Sequence, residues 1–156
     1  MTAILAEWPE LAGTLLELPS VAAMARQRLD FTPYSHRVEV VAGDFFSDPI
    51  PAGNDVVILA NVAHLFSPER NRKLLRRIRQ AVCSGARLLL VDLWTNPVRT
   101  RPLGAALLAG EFLVMAGEGD VYSEREVRGW LYPCGWQPLQ SSPLAGAWSL
   151  LVAEAV

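Results

Sequence analysis

The sequence predicts an α/β domain built on a doubly wound, mainly parallel sheet, and three features point to it. Apolar runs of strand length alternate along the chain with segments whose apolar residues recur at helical spacing. Helix-start signals follow strand-like runs closely, as where Ser67-Pro68-Glu69 comes soon after Val56-Val57-Ile58-Leu59. Polar, chemically versatile side chains stand just past the ends of those runs, at the edge where open α/β sheets bind ligands.

Residues 2–11 place Ile4, Leu5, Trp8 and Leu11 at helical spacing and read as the tail of a helix, which Ala12-Gly13 breaks. Thr14-Leu15-Leu16 is a short buried strand ending in Glu17. Pro19 starts a helix that runs to about residue 29, with Val21, Met24, Ala25 and Leu29 on one face. Residues 31–36 form a loop. Arg37-Val38-Glu39-Val40-Val41 alternates as a strand and leads into Ala42-Gly43-Asp44-Phe45-Phe46. Pro49, Pro51 and Gly53 make the next segment irregular.

Residues 54–92 hold the densest chemistry. The β-branched run 56–59 is a buried strand, and His64 lies just past its end. Ser67 caps a helix that ends near Cys83-Ser84-Gly85, with Gly85 as its left-handed terminator. Its cations, among them Arg70, Arg72, Lys73, Arg76, Arg77 and Arg79, form the solvated face opposite Leu74, Leu75, Ile78 and Val82; a nucleic-acid stripe is the rival reading. A second strand over 87–91 delivers Asp92 to its carboxyl end. Trp94-Thr95-Asn96-Pro97 is a loop, 102–115 a buried helix rich in small residues, and 117–120 a turn. A helix over 123–131 opens with a capping box, Ser123 to Glu126, and stops at Gly135-Trp136. Residues 137–142 and 148–153 form an antiparallel pair at the sheet edge.

At 156 residues the chain suits one domain. A net charge of -2 gives no field that favours nucleic acid or an anionic membrane. The two cysteines show neither metal-ligand spacing nor a disulfide framework, so no metal and a reducing cytoplasm are expected. The first residues carry no basic segment, so no signal peptide is expected, and the weakly polar run 102–117 is too short to span a bilayer. A mean hydropathy of +0.23 suggests surface covered by a partner or by further chain.

His64 and Asp92 are the candidate catalytic pair. Phenols ionise near ~10 and imidazole near ~6.5, so a histidine within hydrogen-bond reach can take a hydroxyl proton as the oxygen reacts. A carboxylate on the other ring nitrogen fixes the tautomer. The alternative is a histidine capping a backbone carbonyl and an aspartate capping a turn. Glu17, at a strand end before a proline-started helix, suits the ribose hydroxyls of an adenosine cofactor, or else simply faces a helix dipole. Asp44 with Phe45 suits an adenine amino group and ring, or else is a turn beside core aromatics. Phe112 and Met115 either touch an aromatic substrate or belong to the core.

The segments WPELAGTLLELPSVAAMAR, RVEVVAGDFFSDPIPAGNDVVILANVAHLFSPERNRKLLRRIRQAV, GARLLLVDL, VYSEREVRGWLYPCGW and SLLVAEA occur in an order and spacing that span nearly the whole chain. Together they resemble the class I S-adenosylmethionine-dependent O-methyltransferases of the caffeate and hydroxyindole type, nearest the bacterial members that tailor polyketides. The resemblance implies a Rossmann-like sheet, S-adenosyl-L-methionine as cofactor, and a phenolic or polyketide-like small molecule as substrate. It implies a homodimer in the full-length form, no nucleic-acid or membrane partner, and residues 1–156 as a C-terminal catalytic domain. His64 matches the general base and Asp92 the acid that orients it. Glu17 matches the ribose acid, and Asp44 and Phe45 the adenine pair. Phe66 stands where a Trp flanks the cofactor, and Ala60 where some members have a cofactor-contacting Lys. A further catalytic Glu of plant members falls near Val121 and is unmatched unless Glu118 shifts into place.

Full-length members carry a helical dimerisation and lid domain, then a central first strand and a Gly-x-Gly loop. The resemblance implies that this chain begins after that loop, so the isolated chain is expected to turn over weakly or not at all. Without that strand, the two halves must pair directly or another chain must fill the gap, unless the recorded start is wrong. Two rival functions remain: a non-catalytic fragment acting through a partner chain, and a different Rossmann-like nucleotide binder.

Overall fold

The computed structural model describes residues 1–116 and 118–156, except for the side chains of Leu113, Met115 and Ala116. The expectations for the Met115 side chain and for Gly117 lie outside the described residues. The chain forms two compact units, Met1–Pro51 and Ala52–Val156.

The first unit runs α1 (Thr2–Glu7), β1 (Gly13–Glu17), α2 (Pro19–Asp30), a 3₁₀ turn at Ser35–Arg37, and β2 (Val38–Ala42). β1 and β2 pair in parallel, from Gly13 opposite Val38 to Glu17 opposite Ala42. α1 is shorter than predicted: Trp8 is extended, as a residue before proline prefers to be. The Arg37 guanidinium gathers carbonyls there, those of Leu5 (2.6 Å), Trp8 (3.1 Å), Pro9 (2.7 Å) and Leu11 (3.1 Å). That role takes Arg37 out of the predicted strand. α2 buries Ala22 and leaves Val21 and Met24 exposed, so its inward face is rotated by about one residue from the predicted one.

The second unit runs β3 (Val56–Ala60), a 3₁₀ turn at Ala63–Leu65, α3 (Pro68–Ala81), β4 (Arg87–Leu93), α4 (Leu103–Ala116), α5 (Glu124–Leu131), a 3₁₀ turn at Tyr132–Cys134, β5 (Trp136–Pro143) and β6 (Trp148–Ala155). Its sheet is mixed, in the order β3-β4-β6-β5. β3 and β4 are parallel, while β6 is antiparallel to both β4 and β5. β5 is outermost and breaks register between Pro138 and Ser141, where a residue lacking an N–H is tolerated.

The six strands form two sheets, and among the described residues no ladder joins them. The sequence predicts β3 buried on both faces, yet Val56 and Ile58 are 49% and 44% exposed, since among the described residues β4 is the strand's one ladder partner.

α3 opens as the sequence indicates: the Ser67 hydroxyl accepts the Arg70 amide and Pro68 takes the first position. It buries Leu74, Leu75 and Ile78 and keeps most of its cations toward solvent. It ends at Ala81, not at Gly85: Val82 is already extended, and Gly85, with φ of +86°, sits in the turn before β4. Trp136 is fully buried and donates its indole N–H to the Leu75 carbonyl at 3.0 Å, holding β5 to α3. α4 is not a buried helix. It packs Ala105, Leu108, Ala109 and Phe112 against Leu93 and Val121, while Leu103, Leu107 and Val114 face solvent.

The α5 capping box is complete: Ser123 Oγ accepts the Glu126 amide, and Glu126 Oε2 accepts the Ser123 amide at 2.9 Å. Ser123→Ala is expected to lower stability by about 1 kcal/mol, measured as a lower urea midpoint with an unchanged slope.

Candidate active site

Because β3 and β4 run parallel, their carboxyl ends lie at one edge. At the end of β3 the Asn61 amide donates to the Val91 carbonyl at 2.9 Å, and Asn61 then takes φ of +57°, a conformation asparagine tolerates. The chain turns there, and the 3₁₀ turn that follows carries His64. Asp92 lies one residue from the end of β4.

His64 Nδ1 and Asp92 Oδ1 are 2.7 Å apart, with the residues 7% and 1% exposed. Asp92 Oδ1 also accepts the Leu93 amide at 2.8 Å. Its Oδ2 accepts the amides of Ala63 at 3.1 Å and His64 at 3.4 Å. A carboxylate only accepts, so the imidazole proton sits on Nδ1 and the lone pair on Nε2. Phe112 stacks on the imidazole, with centroids 4.2 Å apart and planes inclined by 17°.

Several residues missed by the sequence reading hold this turn. Asn71 Nδ2 donates to the carbonyls of Ala63, Phe66 and Ser67 at 2.9, 2.8 and 3.2 Å. Tyr122 Oη donates to the Phe66 carbonyl at 2.7 Å, and the Asp120 amide to the His64 carbonyl at 3.0 Å. Gly119 has φ of +94°, and a Cβ there would stand 2.3 Å from the His64 carbonyl oxygen. One signal was available in advance: Asn71 is polar at a position on the apolar face of α3, in step with Leu74, Leu75 and Ile78.

Glu118 is held at the start of α3. It accepts the Ser67 amide at 3.1 Å and pairs with Arg70, whose guanidinium lies 4.5 Å from the Phe66 ring centroid. The Ser67 amide, and after it Arg70, hold its carboxyl below the ordinary value. Glu126 is also lowered: burial pushes it up, but the Ser123 amide and Arg99 outweigh that. Both depressed carboxyls contribute stability above the ordinary carboxylate range, and it is lost as pH falls through their folded values. Val121 is fully buried core.

The expected cofactor residues fall into two groups. Ala60, exposed at the end of β3, and Phe66, beyond the His64 turn, belong to the second unit. Glu17, Asp44 and Phe45 belong to the first unit. There Glu17 ends β1, and its carbonyl accepts the Gly43 amide at 2.8 Å, so Asp44 follows β2 at the same edge. Asp44 Oδ1 accepts the Phe46 amide at 2.8 Å, and the Phe45 and Phe46 rings meet edge to face. No cluster of potential metal ligands exists among the described residues, and none of their helices is long and apolar enough to cross a membrane.

Residues 1–137 match the family described as the O-methyltransferase domain. The chain belongs to that family. A 3-hydroxy-5-methyl-1-naphthoate 3-O-methyltransferase of Streptomyces sahachiroi is 35% identical over 127 residues, which is 81% of this chain and 36% of that one. A mitomycin biosynthesis 6-O-methyltransferase of Streptomyces lavendulae is 35% identical over 154 residues, 99% of this chain and 43% of that one. The structure of human N-acetylserotonin methyltransferase in complex with S-adenosylmethionine superposes with a TM-score of 0.89 at 25% identity, over 99% of this chain and 43% of that one. This O-methyltransferase-family chain thus has the α/β fold of S-adenosylmethionine-dependent methyltransferases and spans less than half the length of these relatives.

Gly119→Ala is expected to cost about 1–3 kcal/mol, because both the positive φ and the His64 carbonyl oppose a Cβ; thermal unfolding checks it. Burial pushes the Tyr122 hydroxyl up to about 12. The stability this hydroxyl contributes is therefore full below the ordinary value of 10.0 and is lost as pH rises through about 12. Absorbance titration of the three tyrosines should show one late step that Tyr122→Phe removes.

Proposed function

We propose that residues 1–156, both units together, are catalytic-domain chain of an S-adenosylmethionine-dependent O-methyltransferase acting on a phenolic or polyketide-like hydroxyl. The observation that carries the proposal is the buried His64 Nδ1–Asp92 Oδ1 contact of 2.7 Å at the carboxyl ends of two parallel strands. In this reading Asp92 holds the Nδ1 proton and leaves Nε2 as the base. A substrate hydroxyl within hydrogen-bond reach gives its proton to Nε2 as its oxygen becomes nucleophilic. The Asp92 charge then stabilises the imidazolium, and burial strengthens that effect. Phe112 covers one flat face of the ring, and the Nε2 lone pair lies in the ring plane, so it stays clear of that stack.

The residues present fit the cofactor's adenosine part, whose ribose hydroxyls and adenine amino group are donors. Glu17 would accept from the ribose. Asp44 would accept from adenine through the oxygen not engaged by Phe46, with Phe45 beside the ring. Bound S-adenosylmethionine supplies an electrophilic methyl on its sulfonium. A homodimer of the full-length form and a cytoplasmic location accompany this reading. The Streptomyces relatives named for naphthoate and mitomycin methylation support the substrate class.

With labelled S-adenosylmethionine, a panel of phenols and chain concentrations high enough to read weak turnover, His64→Gln should lower kcat by about 10²–10⁴-fold, and Glu17→Ala should raise the cofactor KM while sparing kcat. Full turnover by His64→Gln overturns the proposal. The half-exposed apolar strand β3 favours a second reading, a non-catalytic fragment that works through a partner chain. Absence of S-adenosylmethionine binding at millimolar levels in calorimetry supports that reading.

A further inference from the structure

The turn that carries His64 is poorly held by its own backbone. Within it the Leu65 amide reaches the Val62 carbonyl at 3.1 Å and the Phe66 amide reaches the Ala63 carbonyl at 3.4 Å, both 3₁₀ bonds of weak geometry. Its other backbone groups are held from outside. On the amide side, Asp92 Oδ2 takes Ala63 and His64. On the carbonyl side, the Asp120 amide takes His64, Tyr122 Oη takes Phe66, and Asn71 Nδ2 takes Ala63 and Phe66 together. Asn71 is 5% exposed.

We propose that Asn71 is a positioning residue: its amide clamps the carbonyls on both sides of His64 and so holds the imidazole against Asp92. An amide NH₂ suits this place for three reasons. It carries two hydrogens on one atom, so it can serve carbonyls that diverge. It is neutral, so it adds no charge beside the buried imidazole and carboxylate. It stands on the rigid first turns of α3, whose Ser67 carbonyl accepts it as well at 3.2 Å. Asp92 fixes the turn from the β4 side and Asn71 from the α3 side. Without Asn71, the Ala63 carbonyl loses the shorter of its bonds and the Phe66 carbonyl loses one of its donors. The turn then relaxes toward other donors and carries His64 with it. A shift of about 1 Å in a catalytic group costs on the order of 10²-fold in rate. The catalytic half of this inference rests on the methyl-transfer reading, whereas the structural half does not.

The test uses Asn71→Asp, which keeps the shape but removes the donors and adds a charge, Asn71→Ala, which removes the donors without adding one, and Tyr122→Phe as a milder variant that removes one donor to Phe66. The first readout needs no activity: solvent exchange of the His64 Nδ1 proton, followed by NMR, with circular dichroism confirming that the helices remain. Exchange about tenfold faster or more is expected in Asn71→Asp and Asn71→Ala, with a smaller effect in Tyr122→Phe. Unchanged exchange in a folded Asn71 variant overturns the proposal. Should both Asn71 variants fail to fold, Tyr122→Phe decides in the same way.

The second readout is turnover well below the melting temperature. In Asn71→Asp, kcat should fall by about 10–10²-fold while the cofactor KM stays within about threefold. A kcat that falls only in proportion to the folded fraction overturns the positioning role. Faster Nδ1 exchange in an Asn71 variant, together with full turnover in His64→Gln, leaves the clamp standing and removes the methyl-transfer reading instead.

Discussion

The Asp92 carboxylate is the group on which the site's geometry depends. Buried at the end of β4, it accepts the imidazole of His64 and the amides of Ala63, His64 and Leu93. A buried charge without such partners would be expensive, and a turn without such an acceptor would leave amides stranded. Each need answers the other. Charge, base and turn are therefore one unit, and altering Asp92 disturbs the loop as well as the proton chemistry.

Around that unit the segment 118–122 serves as a brace. Glu118 holds the start of α3, Gly119 packs against the His64 carbonyl, Asp120 donates to it, and Tyr122 reaches the Phe66 carbonyl. Arg99 then ties Asp120 and Glu126 together, over the Tyr122 ring. The proposed chemistry asks for one imidazole at a strand end. Here the backbone carrying it is secured by contacts from β4, α3 and the chain before α5.

Much of this could be read from the sequence because the relevant signals are local. Ser67-Pro68-Glu69 and the Ser123–Glu126 box start helices through bonds within one turn. The apolar runs ending near His64 and Asp92 show which strand ends carry these two side chains, and parallel pairing brings them together. What escaped depends on distant partners. Arg37 left its strand to satisfy carbonyls as far back as Leu5. Gly85 has the backbone of a helix terminator but serves the next turn. Val56 and Ile58 have the composition of a fully buried strand, yet burial depends on a neighbour that composition does not supply. Glu118 and Asn71 are ordinary polar residues until the fold places Ser67 and the Ala63 carbonyl beside them.

The strand order β3-β4-β6-β5 bears on how the second unit comes to be made. β6 leaves the ribosome after β4 and β5, yet it lies between them. Until it emerges, β4 has an open flank and β5 has no strand to pair with. The β5–β6 hairpin is the local pairing, while docking onto β4 closes a longer stretch of chain. Only then does Trp148 reach Asn61, where its indole bonds the amide oxygen at 2.7 Å. During synthesis the His64 turn thus stays without this cross-link to the end of β3, and assembly of the unit is a late event that a stalled ribosome would forestall.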